Sequence, residues 1–353
     1  MSKVLMKGNE ALAEAAIRAG CRHFFGYPIT PQTEVSAYMA KKMPKIGGVF
    51  LQAESEVSAI NMVYGAGGAG VRVMTSSSSP GISLKQEGIS YIAGADVPCV
   101  IVNIVRGGPG LGGIQPAQSD YFQATKGGGH GDYHLVVLAP SSIQEMVDLT
   151  SDAFDIGDKY RCPVMIMGDG MLGQMMEPIE FKDADASALP EKEWATSGTG
   201  MKRKKNVINS LFIEAKELED LVLERQKRYE EIIKNEVRYE AVGIEDADIV
   251  LVAYGTTARI AKTAMAKAKE QGLKVGIIRP ITLWPFPTEA FEKELEGGAK
   301  TFLTVEMSLG QMVEDVRLAV NGRANVEFFG RTGGIVPTPN EILSKIIEIG
   351  GAK

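Results

Sequence analysis

Short runs rich in Val, Ile, Met and Phe recur through the first half of the chain, at residues 22–26, 48–52, 71–75, 98–105, 135–138 and 163–167. Between them the apolar positions fall three and four apart, the period of a helix that buries one face. Alternation of this kind predicts a parallel sheet wrapped by helices. The runs are nearly continuous in apolar residues, so both faces of each strand are expected to be covered.

Residues 191–206 lose this periodicity and gather Ser, Thr, Gly and Lys, whereas 207–238 read as a charged amphipathic helix. A second alternation follows, with apolar runs at 249–253, 275–278, 301–305 and 326–329. That suffices for an α/β unit of roughly four or five strands. The expected organisation is an α/β domain over 1–190, a linker and bridging helix over 191–240, and a second α/β domain over 241–353. The length of 353 residues agrees, because single cores stop growing near ~250–300 residues. No tandem repeat of fixed period is visible.

Charge and cysteine content narrow the chemistry. A formal net charge of -6 argues against a nucleic-acid partner. The one basic run, Lys202-Arg203-Lys204-Lys205, precedes an acidic helix and reads as solvated linker. Cys21, Cys99 and Cys162 are too dispersed to form a C-x-x-C pair, so no zinc, haem or iron-sulfur site is expected on this chain. Three scattered thiols suit a reducing cytoplasm. The N-terminus lacks an apolar signal core, and no stretch reaches the ~20 apolar residues of a membrane helix. A soluble cytoplasmic protein is expected.

Two glycine patterns mislead. Gly65-Ala66-Gly67-Gly68-Ala69-Gly70 matches G-x-G-x-x-G. A dinucleotide fingerprint follows a strand and opens a helix, and here the order is reversed, which predicts a helix ending instead. Gly168-Asp169-Gly170 resembles the start of the metal-holding signature of thiamine enzymes, but the next Asn is Asn206, 36 residues beyond Gly170 (206−170). Asp169 is therefore expected to be strand-end structure and not a magnesium ligand.

Several residues carry candidate chemistry. Glu56 falls in the first turn of a helix after an apolar run, where a carboxylate gains from the helix dipole, either as a structural acid or as a functional one. Thr30 lies between Pro28 and Pro31, and suits a helix N-cap before Pro31 or an exposed hydroxyl. Arg106 follows the 98–105 run and enters Gly107-Gly108-Pro109-Gly110, at the carboxyl edge of a strand, where open α/β sheets bind ligands. It either ties down that loop or holds a substrate carboxylate. Residues 75–81 offer consecutive hydroxyls in a loop before a helix starting near Ile82. His130 and His134 lie in a glycine-rich stretch that no stable helix tolerates, so a mobile loop is expected there.

The segments Gly26-Tyr27-Pro28-Ile29-Thr30-Pro31, the Glu56 helix with Gly65-Ala66, and Thr75-Ser76-Ser77-Ser78-Ser79-Pro80-Gly81 together resemble the 2-oxoacid:ferredoxin oxidoreductase family. Ala253-Tyr254-Gly255-Thr256, Ile278-Arg279-Pro280-Ile281-Thr282-Leu283-Trp284-Pro285 and Val305-Glu306-Met307-Ser308 resemble a transketolase-type C-terminal domain. The resemblance implies a pyrimidine-type, thiamine-diphosphate-binding parallel-sheet domain followed by a transketolase C-terminal-like α/β domain. Glu56 then takes the place of the glutamate that hydrogen-bonds the aminopyrimidine ring and favours its imino tautomer, with Glu54 as the fallback on a different face. Thr30 and Arg106 are implied beside the substrate carboxylate. Pro28, Ile29, Thr30, Thr75, Ser76, Ser77, Ser78, Pro80 and Gly81 are implied to face the cofactor.

The same resemblance assigns the rest of the machinery to partners. A beta-type subunit would bring the diphosphate-binding domain, magnesium and iron-sulfur clusters. Gamma-type and small ferredoxin-like subunits would complete the complex, with coenzyme A as co-substrate and ferredoxin as acceptor. Arg106-Gly107-Gly108-Pro109, the segment 112–120 and the glycine-rich 126–133 most resemble the branch acting on 2-oxoisovalerate, with the 2-oxoglutarate branch as alternative. A dicarboxylate needs a second cation, and the loops offer only Lys85 and Lys126. A nicotinamide-dependent dehydrogenase and a non-catalytic scaffold are the readings from other classes.

Overall fold

The computed structural model describes residues 3–182, 189 and 191–351. The first and last two residues and the boundary expected at residue 190 lie outside them. The larger sheet has seven strands, in the order Thr282–Trp284, Val136–Leu138, Pro163–Asp169, Cys99–Val105, Val73–Ser77, His23–Gly26 and Val49–Gln52. All neighbours run parallel except Thr282–Trp284, which lies antiparallel to Val136–Leu138. Cys99–Val105 and Pro163–Asp169 are buried along their whole length, as continuous apolar strands between helical layers should be. Val49–Gln52 departs from that expectation, with Val49 42% and Leu51 41% exposed. It is the edge strand, with a strand neighbour on one side only.

Helices Gly8–Arg18 and Ile143–Tyr160 pack against each other, as do Glu56–Gly68 and Pro80–Gly94. Small residues set the spacing of the second pair: a Cβ on Gly88 would stand 2.5 Å from Ile60. The Gly65–Gly70 pattern forms the end of the Glu56–Gly68 helix and the turn before strand Val73–Ser77, as the reversed order implies. A Cβ on Gly67 would meet Val97 at 2.5 Å and one on Gly70 would meet Ala195 at 2.6 Å, so these two glycines serve close packing.

The smaller sheet has the order Asn325–Gly330, Thr301–Glu306, Ile249–Val252, Val275–Pro280 and Tyr239–Val242. The last is an antiparallel edge strand that begins inside the stretch expected to be linker. The bridging helix, Ala215–Asn235, is shorter than its apolar periodicity suggested, and Val207, Leu211 and Ile213 before it are exposed.

Sequence periodicity missed two features. Val4–Lys7 pairs with Met176–Ile179 in a two-stranded ribbon. Thr282–Trp284 leaves the second alternation and completes the first sheet. The two sheets are thus locked together, and buried Arg279 reinforces the joint by bonding Glu145 at 2.6 and 3.0 Å and Glu240 at 2.7 Å. The Gln118 side chain adds a buried pin, donating to the Tyr254 carbonyl and accepting from Met307 N and the Thr257 hydroxyl.

Candidate active site

Strands Val49–Gln52, His23–Gly26, Val73–Ser77 and Cys99–Val105 lie side by side, and the chain leaves the carboxyl end of each into a segment carrying candidate chemistry. Residues 27–31 follow the second of these strands, Glu56 follows the first, Ser78 to Gly81 follow the third, and Arg106 follows the fourth. Ligand crevices of open α/β sheets lie at such edges.

Glu56 is the first residue of its helix, whose N-cap Ser55 accepts from Ser58 N at 3.2 Å. Its side chain is buried, 6% exposed, and among the described residues no group donates a hydrogen bond to its carboxylate. Glu54 is exposed and bonded to the Ser58 hydroxyl, so the fallback points away. A Cβ on Gly81 would come within 2.8 Å of Glu56 Oε1 and 2.0 Å of Ser77 Oγ. Only a glycine lets the carboxylate lie against the first turn of helix Pro80–Gly94.

That helix begins earlier than expected, and Thr75, Ser76 and Ser77 belong to the strand instead of a loop. Thr75, Ser76, Ser77 and Ser78 are each 0% exposed. Ser76 donates to Gln32 Oε1 at 2.5 Å. The Ser77 and Ser78 hydroxyls have no partner among the described residues. Ser79 takes a backbone φ of 24°, a conformation that disfavours side chains with a Cβ. Its hydroxyl holds it there, donating to Asp120 Oδ2 at 2.6 Å and accepting from Arg106 N at 3.1 Å. Asn103 joins this hub through Asp120 at 2.9 Å. Burial raises the Asp120 carboxyl above its ordinary value, while Ser79, Asn103 and Arg106 pull it back.

Thr30 and Arg106 meet, but through the backbone: Arg106 donates to the Thr30 carbonyl at 2.9 Å and to the Leu111 carbonyl at 3.0 Å. The guanidinium therefore ties down both loops, and its buried Nε makes no hydrogen bond among the described residues. Thr30 is not an N-cap, because the next helix starts at Thr33 with Gln32 in the cap position. Pro28 and Thr30 are exposed and Ile29 is half-buried. Asp169 caps helix Gly170–Gln174, accepting from Met171 N and Leu172 N. His134 is exposed and stacks on Trp284 with ring centroids 4.4 Å apart.

A cavity of about 840 Å³ adjoins this edge, with Ser79, Pro80, Gly108 and Asp120 on one wall and Leu309 and Gln311 on the other. Gln311 stitches the walls together, accepting from Phe122 N and donating to the Ser119 carbonyl.

The family model described as pyruvate flavodoxin/ferredoxin oxidoreductase, thiamine diphosphate-binding, matches residues 14–242, well over half the chain. The model of pyruvate:ferredoxin oxidoreductase core domain II matches 247–342. The chain belongs to the 2-oxoacid:ferredoxin oxidoreductase family. Within that family it is 52% identical to the ketoisovalerate oxidoreductase subunit VorB of Methanothermobacter marburgensis, over 99% of both chains. It is 38% identical to the 2-oxoglutarate synthase subunit KorA of Methanothermobacter thermautotrophicus, over 98% of both. A solved 2-oxoglutarate:ferredoxin oxidoreductase from Magnetococcus marinus superposes with a TM-score of 0.88 at 28% identity, covering 98% of this chain; this chain spans 65% of that one. A split-gene transketolase shares the fold alone, with a TM-score of 0.61 at 13% identity.

The residues present fit the family's cofactor. A buried carboxylate that accepts no hydrogen bond and two buried hydroxyls without partners, all among the described residues and gathered at one strand end, form the donor and acceptor set that an aminopyrimidine ring satisfies. Sequence reasoning missed Gln32, Asn103 and Asp120. Their contacts join residues 44, 24 and 41 positions apart, and no local spacing signals them.

Proposed function

We propose that this chain forms the pyrimidine-side half of a thiamine diphosphate site in a ferredoxin-dependent oxidoreductase that converts 2-oxoisovalerate and coenzyme A to acyl-CoA and carbon dioxide. The buried Glu56 carboxylate, free of donors within the described chain, carries this reading. Thiamine diphosphate, when bound, supplies the nucleophilic carbon and the electron sink for decarboxylating a 2-oxo acid. Glu56 holds the proton shared with the pyrimidine ring nitrogen, in a site dry enough for that sharing to be strong. Ser77, Ser78 and the Gly81 turn wall the ring, with Thr75, Ser76 and Pro80 behind them and Pro28, Ile29 and Thr30 opposite. Arg106 orders the Thr30 and Leu111 loops, and its positive charge and free Nε hydrogen favour a substrate carboxylate there.

The branched-chain assignment draws on the 52% identity to the VorB subunit. It also draws on the two lysines that a dicarboxylate would need. Lys85 is fully buried against Thr75, and Lys126 pairs with Asp315. Neither is available for a second substrate carboxylate. The reading assigns residues 1–190 to the pyrimidine domain, 191–240 to the connection and 241–353 to the transketolase-like domain. A beta-type subunit supplies the diphosphate site, magnesium and clusters, with gamma-type and ferredoxin-like subunits and ferredoxin completing a cytoplasmic complex. Among the described residues no helix is long and apolar enough to cross a membrane.

The test is to purify the assembled complex, analyse it for iron and thiamine diphosphate, and follow coenzyme-A-dependent viologen reduction. 2-Oxoisovalerate should exceed 2-oxoglutarate in kcat/KM by at least about tenfold. The reverse order moves the chain to the 2-oxoglutarate branch, and a chain isolated without thiamine diphosphate, iron or partners overturns the proposal.

A further inference from the structure

Ser79 stands in the cap position of helix Pro80–Gly94 and Asp120 in that of helix Tyr121–Thr125, yet neither side chain accepts from the N–H groups of its own helix. Serine and aspartate at such positions ordinarily do. Here the Ser79 hydroxyl donates to Asp120 Oδ2 at 2.6 Å instead. Two capping side chains are diverted from their helices onto each other, and the diversion falls where the backbone is strained.

Ser79 has a φ of 24° and a ψ of -81°, a conformation that a residue with a Cβ keeps only when its surroundings over-determine it. Three groups do so. Asp120 takes the hydroxyl hydrogen, Arg106 N donates to the hydroxyl oxygen at 3.1 Å, and Asn103 Oδ1 accepts from Ser79 N at 3.2 Å. Asn103 Nδ2 in turn donates to Asp120 Oδ2 at 2.9 Å, so one carboxylate oxygen anchors both arms of the brace. The dihedrals held in this way direct the chain from Ser78 through Pro80 to Gly81, and Gly81 N closes the turn on the Ser78 carbonyl at 2.8 Å. Gly81 is the residue that lies against Glu56.

Asp120 is placed from its other side by the smaller-sheet domain. All four neighbours within two positions are tied to that domain: Gln118 to Tyr254 and Met307, Ser119 and Phe122 to Gln311, and Tyr121 to Asp315. The Asp120 side chain points the opposite way, to Ser79 and Asn103.

We propose that Asp120 is a positioning residue through which the smaller-sheet domain holds the turn at residues 78–81 in the shape that receives the cofactor ring. The inference rests on the assignment of Glu56 and that turn to thiamine diphosphate. Without Asp120 the Ser79 backbone relaxes out of the left-handed region and carries Gly81 away from Glu56. Ser79→Gly removes the need for the brace, since glycine takes a positive φ at little steric cost.

The experiment titrates thiamine diphosphate with magnesium calorimetrically into the assembled complex stripped of cofactor, without any 2-oxo acid. Asp120→Ala should weaken binding by about tenfold or more, and in a Ser79→Gly background the same substitution should weaken it by less than about threefold. Asp120→Asn, whose amide oxygen has lone pairs for both bonds, should lose less than Asp120→Ala. Equal losses from Asp120→Ala in the two backgrounds overturn the proposal, as does full affinity in Asp120→Ala, or a loss in Asp120→Asn as large as in Asp120→Ala. Should Asp120→Ala not assemble, Gln311→Ala loosens the hold on Ser119 and Phe122, and its loss of affinity must likewise shrink on Ser79→Gly for the proposal to stand. Glu56→Gln separates the two levels. If it binds thiamine diphosphate with the affinity of wild type, the cofactor-site assignment itself has failed; weakened binding in Glu56→Gln beside full affinity in Asp120→Ala sinks the brace alone.

Discussion

Two glutamates are buried where a strand gives way to a helix, one in each half of the molecule, and they are treated in opposite ways. Glu306, at the end of strand Thr301–Glu306, is 0% exposed and accepts from Gln311 N, Met312 N, Val313 N and the Ser308 hydroxyl. It binds the N-terminus of helix Met312–Val320, where the dipole and free N–H groups favour an anion. Glu56 is nearly as deeply buried and accepts nothing within the described chain. A carboxylate that is saturated by its own fold has no capacity left for a ligand. One that the fold buries and leaves without donors has its partner elsewhere.

The largest effect expected from this contrast is on chemistry. Glu56→Gln in the assembled enzyme should lower kcat/KM by roughly 10²- to 10⁴-fold, with the thermal unfolding midpoint unchanged. A large loss of stability together with retained turnover would make Glu56 a structural acid and erase the distinction. The converse substitution, Glu306→Ala, strands several buried donors and should cost about 2–4 kcal/mol in denaturant unfolding. If Glu306→Ala leaves stability intact and instead abolishes cofactor binding, the two glutamates have been assigned the wrong way round. Smallest is Gly81→Ala. Its added carbon must displace Ser77 or Glu56, an overpacking of about 1–3 kcal/mol, which should weaken thiamine diphosphate binding by about tenfold. Unchanged affinity there would mean that the carboxylate's position against the helix does not matter.

Much of this arrangement was legible in the chain. The strand ends that carry residues 26–31, 52–56, 75–81 and 105–110 follow from apolar runs broken by glycine, proline and hydroxyls, because such breaks fall where a strand leaves the core. Periodicity could not separate a buried polar strand from a loop. Thr75, Ser76 and Ser77 look like loop residues, and they form strand because their neighbours on the sheet supply the ladder. Lys85 reads as a cation that the loops offer to a substrate, and Arg106 as either a tie for its glycine loop or a holder of a substrate carboxylate. Packing buries the first and directs the second at two carbonyls of its neighbouring loops.

The sequence by itself determined two α/β alternations, the placing of Glu56 at a helix start, and a glycine pattern that ends a helix. Each follows from residues within a few positions of one another, whose spacing and backbone preferences act locally. Only the tertiary structure decided that Thr282–Trp284 joins the first sheet, that Asp120 braces Ser79, and that Lys85 is buried against Thr75. Those outcomes depend on which distant groups are excluded from water together, and that is a property of the assembled core.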